Sequence, residues 1–411
     1  MRFLIQKFGG TSLTTPEFRK EVAAKVVAAQ KQGFSPVVVV SAIGRYGAPY
    51  ATDTLISVAK QVNRDVPPRE LDLLMSCGEV ISGVVMVNTL LDMGCQAVFL
   101  TGAQAGIITD ANFNDARILR VEPQKIIEQA EQGKVVVVAG FQGVTEEGEI
   151  TTLGRGGSDT TAAALGVALD AECIDIYTDV DGVMTADPRI VDEAQILDKV
   201  TYNEICQLAH EGAKVIHPRA VEIAMQKNIP MRVKSTFSNA PGTLVTNHGE
   251  VYGGTIDIIM DRIITGITHV TNITQIIIPL ENVDIANPHL KVFKGMALAG
   301  ISVDFWNVNL QYISFTVKDN VADKAKQVLE NMGITPLLRS GCAKVAAVGA
   351  GMTGVPGVMA SVVEALTREN VEILQSSDSH TTIWVLVKEE DIQKAVVTLH
   401  RQFMLGNNRD R

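Results

Sequence analysis

Residues 3–12 read Phe3-Leu4-Ile5-Gln6-Lys7-Phe8-Gly9-Gly10-Thr11-Ser12: an apolar run, a lysine, two glycines and two hydroxyl side chains. A helix signal follows at once. Thr15 is placed as N-cap, Pro16 falls in the first turn, and Phe18, Val22 and Val26 keep a 3.6-residue period up to a stop at Gly33. Pro36-Val37-Val38-Val39-Val40 comes next, a continuous β-branched run of the kind that forms a strand buried on both faces. Comparable runs recur at residues 97–100, 135–138, 174–177 and 229–233, with helical segments such as 122–132 and 158–170 between them. This alternation predicts an α/β fold, a mostly parallel sheet sandwiched by helices.

The pattern changes after Thr246. Residues 247–254 are polar and contain glycine, which suits a linker, and an internal repeat lies beyond them. Ile313-Ser314-Phe315-Thr316-Val317-Lys318 precedes a helical segment with Ala325, Val328 and Leu329. Ile383-Trp384-Val385-Leu386-Val387-Lys388 precedes one with Ala395, Val396 and Leu399, at an offset of 70 residues. Ile301-Ser302-Val303 and Val371-Glu372-Ile373 share that offset and read as the preceding strands. Each unit reads β-α-β-β-α, a ferredoxin-like α+β module present twice. Gly349-Ala350-Gly351-Met352-Thr353-Gly354 matches GxGxxG, but it sits inside the repeat with too little sequence after it for a dinucleotide fold, and is read as a turn. The expected division is 1–246 for the α/β domain, 247–264 for a linker, and 265–340 and 341–411 for the two modules.

Composition narrows the function. The 411 residues carry 46 acidic and 36 basic side chains, a net charge of −10, with 46% hydrophobic residues. That is a globular balance, and it lacks the basic face that non-specific nucleic-acid binding needs. The five cysteines, Cys77, Cys95, Cys173, Cys206 and Cys342, form no CxxC pair, which argues against a disulfide framework or structural zinc and for a reducing compartment. The N-terminus has no signal-peptide core, and no apolar run is expected to approach the roughly 20 residues that span a bilayer. A cytoplasmic protein with neither membrane nor nucleic acid as partner is expected.

Four segments carry chemistry. Lys7, Gly9 and Gly10 fit either a tight βα turn or a cradle for phosphate oxygens at a helix start. In Gly154-Arg155-Gly156-Gly157-Ser158-Asp159-Thr160-Thr161, Arg155 can take a carboxylate bidentately, while Asp159 is either a helix N-terminal acid or an anchor for a lysine or metal. Ser76-Cys77-Gly78-Glu79 interrupts a helical pattern and sets Glu79 among apolar neighbours, as a surface acid or as a carboxylate aimed at an ammonium. Residues 178–189 follow a strand and read as a binding loop at its carboxyl end. Their aspartates lack the glutamate that a calcium loop places at its twelfth position, where Ile190 stands.

Taken in order and spacing, Lys7-Phe8-Gly9-Gly10-Thr11-Ser12, Val40-Ser41-Ala42, Gly78-Glu79, Gly102-Ala103-Gln104-Ala105-Gly106, Gly140-Phe141-Gln142-Gly143, residues 154–161 and residues 179–189 resemble the aspartate kinases of the amino acid kinase family, over the whole chain. The resemblance implies the amino acid kinase fold followed by tandem ACT modules. It implies ATP-dependent phosphorylation of the β-carboxylate of L-aspartate to 4-phospho-L-aspartate, the entry to lysine, diaminopimelate, threonine and methionine, with Mg²⁺ carried by the ATP and no metal held by the protein itself. Carried onto this sequence, it makes Lys7 and Asp159 catalytic. It assigns Ser41, Thr52, Glu79, Arg155 and Ser158 to aspartate, and Lys7, Gly9, Gly10, Thr178, Asp179, Met184, Asp187, Arg189 and Lys214 to ATP. Met184 replaces a tyrosine often found there, which removes an aromatic contact to adenine.

The ACT modules imply an amino-acid effector. The second copy carries Pro356-Gly357 where the first has Pro288-His289. Residues 375–382 and 50–53 most resemble the diaminopimelate-responsive form of Gram-positive spore formers, so meso-diaminopimelate is favoured, with lysine or threonine as alternatives. The exposed sheet edges of such modules predict a homo-oligomer, dimer or larger, through the ACT region. Two rivals are another amino acid kinase, acting on glutamate, acetylglutamate, carbamate or a nucleotide, and a catalytically silent amino-acid sensor. Lys7, Glu79, Arg155 and Asp159 argue against the second.

Overall fold

The structure, a computed structural model, describes residues 1–213, 215–247, 263–281, 287–352 and 354–406. Lys214, Thr353 and most of the expected linker, residues 248–262, lie outside the described residues. The chain forms two compact units. The first holds Met1–Val183, Ile196–His210 and residues 215–247; the second holds Met184–Gln195, Glu211–Ala213 and the chain from residue 263 onward.

In chain order the first unit contains β1 (Phe3–Phe8), α1 (Pro16–Lys31), β2 (Ser35–Val40), α2 (Thr52–Val62), α3 (Pro68–Asp92), β3 (Ala97–Leu100), β4 (Ile107–Thr109), β5 (Ile118–Val121), α4 (Gln124–Glu131) and β6 (Val135–Ala139). It continues with β7 (Gln142–Val144), β8 (Ile150–Thr152), α5 (Gly157–Ala168), β9 (Cys173–Thr178), β10 (Lys199–Val200), α6 (Tyr202–His210), α7 (Pro218–Met225), β11 (Met231–Ser235) and β12 (Thr243–Val245). Eight strands form one sheet in the order β10-β12-β11-β9-β1-β2-β6-β3, parallel at every pairing except β11 with β12. A smaller sheet runs β5-β4-β7-β8.

The valine runs explain the sheet. Val37–Val40 and Val135–Val138 are 0% exposed, because helices cover both faces and no polar side chain has to reach water. α1 starts as the sequence predicts: Thr15 Oγ1 accepts the Phe18 N–H at 3.2 Å, and Gly33 takes a left-handed φ of +85° just past the end. Phe8, Val22, Val26, Val38, Val137 and Met86 share one core, where each buried side chain contributes about 1.5–3 kcal/mol.

α3 departs from expectation in two ways. Ser76-Cys77-Gly78-Glu79 does not break it; the helix is continuous over 25 residues. It is also long and apolar enough by composition to cross a bilayer, the single such helix among the described residues. Its packing shows a core helix instead, set against β3, β6 and β8 with Asp72 and Glu79 buried on it. Asp72, 0% exposed, accepts the Thr152 N–H at 2.8 Å, the Thr152 hydroxyl at 2.6 Å and the Asn114 N–H at 3.0 Å, which ties α3 to β8. Burial raises the Asp72 pKa and these bonds oppose the rise. Asp72→Ala leaves two buried donors and one part-buried donor unpaired, and an expected loss of about 2–4 kcal/mol should appear as a lower urea midpoint, with Asp72→Asn losing less.

The second unit contains β13 (Gly266–Pro279), α8 (Pro288–Leu298), β14 (Asp304–Val308), β15 (Tyr312–Lys318), α9 (Asp319–Asn331), β16 (Leu337–Val348), α10 (Val358–Arg368), β17 (Gln375–Asp378), β18 (Thr382–Lys388) and α11 (Ile392–Gln402). Its six strands run β14-β15-β13-β16-β18-β17, all antiparallel. The repeat is visible in β15 and β18. Residues 301–303 and 371–373 are not strands; they lead into β14, which begins at Asp304, and β17, which begins at Gln375. The helix starts of the two copies also correspond at offset 70: Asn287 (φ +55°) and Gly357 (φ +96°) both occupy the left-handed cap position. Asparagine tolerates that conformation nearly as glycine does, so Asn287, not His289, is the counterpart of Gly357.

Candidate active site

β1 is flanked by β2 on one side and β9 on the other, so the chain leaves it in one direction and returns later on the opposite side. Crevices at the carboxyl ends of such strands are where open α/β sheets bind ligands. Lys7 is the penultimate residue of β1, and Gly9 caps a short 3₁₀ turn, Gly10–Leu13. Lys7 Nζ lies 2.7 Å from Asp159 Oδ1, with both side chains largely buried. Asp159 sits in the first turn of α5, where the helix dipole favours an acid, and its Oδ2 accepts the His217 N–H at 3.2 Å. Gly156 precedes α5 at φ +69°, and a Cβ there would lie 2.1 Å from the His217 ring. The glycine-rich run thus lets the loop close against His217.

The other segments converge on Ala42. A Cβ at Gly10 would lie 2.2 Å from the Ala42 carbonyl oxygen, and one at Gly78 would lie 2.8 Å from the Ala42 Cβ. The Ala42 N–H donates to Glu79 Oε1 at 3.0 Å. Ser41 N–H donates to Phe8 O at 3.2 Å and Gly44 N–H to Gly10 O at 3.0 Å, so the 41–44 loop is sewn to the end of β1. Glu79 is 2% exposed and its Oε2 has no hydrogen-bond partner among the described residues. Burial pushes its pKa up to about 8, against the pull of the backbone N–H groups. A buried carboxylate with one open oxygen can receive a cation such as an ammonium.

Ser158, at the start of α5, is 9% exposed, and a Cβ at Gly140 would lie 2.9 Å both from its Oγ and from Val40 O. Ser41 and Thr52 are half-buried, Thr52 as the first residue of α2. Arg155 is exposed and has no ion pair among the described residues. At the end of β9, Thr178 Oγ1 donates to Asp179 Oδ1 at 3.2 Å, and Asp179 pairs with Arg45 at 2.9 Å, both exposed. Met184, Asp187 and Arg189 are carried by the second unit, and Lys214 lies outside the described residues. Asp187 grips Arg189 with both carboxylate oxygens, which holds its pKa below the usual carboxylate value.

By sequence, Ala42 stands within a motif but is given no role, and neither His217 nor Arg45 is singled out. Ala42 acts through its peptide group, which no residue type announces. His217 stands 58 residues from Asp159, and its one local mark is the following Pro218, a helix-start residue. No group of three metal-ligating side chains clusters among the described residues.

The family model for the amino acid kinase family matches residues 2–235, and an ACT domain model matches residues 337–401. Aspartokinase 1 of Bacillus subtilis is 52% identical over 406 residues, 99% of this chain and 100% of that protein. The structure of E. coli aspartokinase III in complex with aspartate and ADP superposes with a TM-score of 0.76 at 25% identity, covering 98% of this chain and 100% of that one. Clostridium acetobutylicum aspartate kinase superposes with a TM-score of 0.77 at 25% identity, over 97% of this chain and 100% of that one. The chain belongs to the amino acid kinase family, and within that phosphotransferase family to the aspartokinases.

Proposed function

We propose that this chain transfers the γ-phosphoryl group of ATP to the β-carboxylate of L-aspartate, giving 4-phospho-L-aspartate and ADP, and that amino-acid end products regulate it through the ACT modules. The observation that carries the reading is the Lys7–Asp159 pair beside Gly9 and Gly10 at the end of the central strand. The acceptor carboxylate, with a pKa of about 3.9, is ionised at neutral pH, so no general base is needed. Catalysis is then placement and charge neutralisation.

Lys7 meets the charge that develops on the transferring phosphoryl group, and Asp159 keeps its ammonium in place. Gly9 and Gly10 leave the backbone open to phosphate oxygens. Glu79 receives the aspartate ammonium and Arg155 a carboxylate, with Ser41, Thr52 and Ser158 as hydroxyl or backbone donors. Thr178, Asp179, Met184, Asp187, Arg189 and Lys214 attend the nucleotide. Mg²⁺ bound to the ATP would supply charge neutralisation on the phosphates, beside the charge that Lys7 brings.

The effector is meso-diaminopimelate, and the working location is the cytoplasm. The chain divides near 246 and 340 into catalytic domain, first ACT module and second, except that Met184–Gln195 and Glu211–Ala213 pack with the second unit. A homo-oligomer forms through the ACT region: the six-stranded sheet ends in the open edges β14 and β17, and β14 exposes Trp306 and Val308. Light scattering at micromolar concentration should give a dimer or larger.

The deciding assay is ADP release from Mg²⁺-ATP, with and without aspartate, and with added diaminopimelate, lysine or threonine. Aspartate-dependent release damped by diaminopimelate is the expected result. Damping by lysine or threonine alone would reassign the effector, and no aspartate-dependent release from folded protein would leave an amino-acid sensor.

A further inference from the structure

Met184, Asp187 and Arg189 lie on a segment whose contacts belong to the second unit. Thr185, between the first two, is 2% exposed and has every polar atom engaged. Its N–H donates to Gln195 O at 2.9 Å, its carbonyl accepts the Ile267 N–H at 2.8 Å, and its Oγ1 accepts the Gln195 N–H at 2.9 Å. Oγ1 also shares a 2.9 Å hydrogen bond with His400 Nε2. His400 stands in the last turn of α11 and is 0% exposed, and its Nδ1 has no partner among the described residues. Ala186, Val191 and Ala194 enter the same apolar core as Ile267, Val396 and Leu399.

Burying an imidazole in an apolar core is costly, and a leucine would fill the space without that cost. The one polar contact this histidine makes goes to the threonine that lies between two residues assigned to ATP. We propose that His400 is a positioning residue for the nucleotide: through Thr185 it fixes the place of Met184 and Asp187, and so sets the affinity for ATP from a helix of the second ACT module. The inference rests on the reading of residues 184–189 as nucleotide contacts. Apolar packing alone would hold the segment to the core, but it would leave the peptide between Met184 and Asp187 free to rotate. The four hydrogen bonds at Thr185 remove that freedom.

The test uses the full chain and steady-state kinetics with each substrate varied. In His400→Leu the KM for ATP is expected to rise about fivefold, the worth of one buried hydrogen bond, while the KM for aspartate stays in place. His400→Gln, whose amide reaches the Nε2 position, should restore it. Thr185→Val, which also removes the acceptor of the Gln195 N–H, should raise the KM for ATP at least as much, and adding His400→Leu to it should change little, since the His400 contact is already gone. An unchanged KM for ATP in both single variants overturns the inference, as does a parallel rise of both KM values with a lowered melting temperature. Should His400→Leu fail to fold, His400→Asn, whose shorter amide does not span the 2.9 Å contact, takes its place, because Thr185→Val also removes the Gln195 bond. A wild-type chain without aspartate-dependent ADP release would sink the underlying reading and this inference with it; a fully active wild type with an unmoved KM in Thr185→Val sinks the inference only.

Discussion

Lys7→Ala should lower kcat by about 10²–10³-fold, the usual cost of removing one donor aimed at developing charge, with a much smaller change in the KM for aspartate. Lys7 is fixed by its strand and by Asp159 at 2.7 Å, so its charge needs no reorganisation when the phosphoryl group moves. Arginine would not substitute. Its planar fork is longer than an ammonium, and it would have to share a half-closed site with Asp159 and the Gly9–Gly10 turn. The variant also leaves Asp159 without its partner, so the melting temperature must be recorded beside the rate. Near-normal turnover in folded Lys7→Ala protein would reduce Lys7 to an ion-pair anchor.

Glu79→Gln should raise the KM for aspartate by about 100-fold, since a charge-assisted contact to a buried group is worth up to about 3 kcal/mol. The pH dependence has a definite sign. The Glu79 pKa is raised from 4.5 to about 8 in the folded chain, so between those values the unfolded chain ionises while the folded one keeps the proton. The folded state then holds more protons, and this residue's contribution to stability falls as pH rises from about 4.5 to about 8. Glu79→Gln removes that slope and should narrow the gap in melting temperature between pH 5 and pH 8. Binding an ammonium favours the carboxylate, so aspartate binding should expel a proton below pH 8 and tighten as the pH climbs. Calorimetry in buffers of different ionisation enthalpy reads that proton directly; no release at pH 7 would place the ammonium elsewhere.

Much of this architecture was readable along the chain because its causes are local. Four consecutive valines have one reasonable fate in a sheet covered on both sides, and Thr15-Pro16 starts a helix by chemistry complete within four residues. The failures are equally physical. Ser76-Cys77-Gly78 looks like a break by propensity, yet α3 passes through it because Gly78 must make room for Ala42, a demand set by a loop that lies far away in sequence. The Asp72 bonds to β8 span 80 residues, and no local pattern foretells them. In the candidate site, charged side chains (Lys7, Glu79, Arg155, Asp159) stand out by residue type, whereas a peptide group such as that of Ala42 or a ring that fills space such as that of His217 carries no such mark. The left-handed cap at Asn287 was missed because asparagine does not advertise that conformation as glycine does.

The apolar side chains of Met184–Gln195 complete a core whose other members come from Ile264 onward, 70 or more positions after Ala194. This places the true seam of the polypeptide away from residue 246. A fragment ending there would keep Ala186, Val191 and Ala194 but lose the helices that cover them, and a fragment starting at 265 would fold around a notch. Recombination between related genes therefore meets a barrier that domain boundaries drawn on the sequence do not show. A C-terminal half taken from a relative should be exchanged without loss only when the matching dozen residues, Met184–Gln195, travel with it, so this loop and the core it completes behave as one graft.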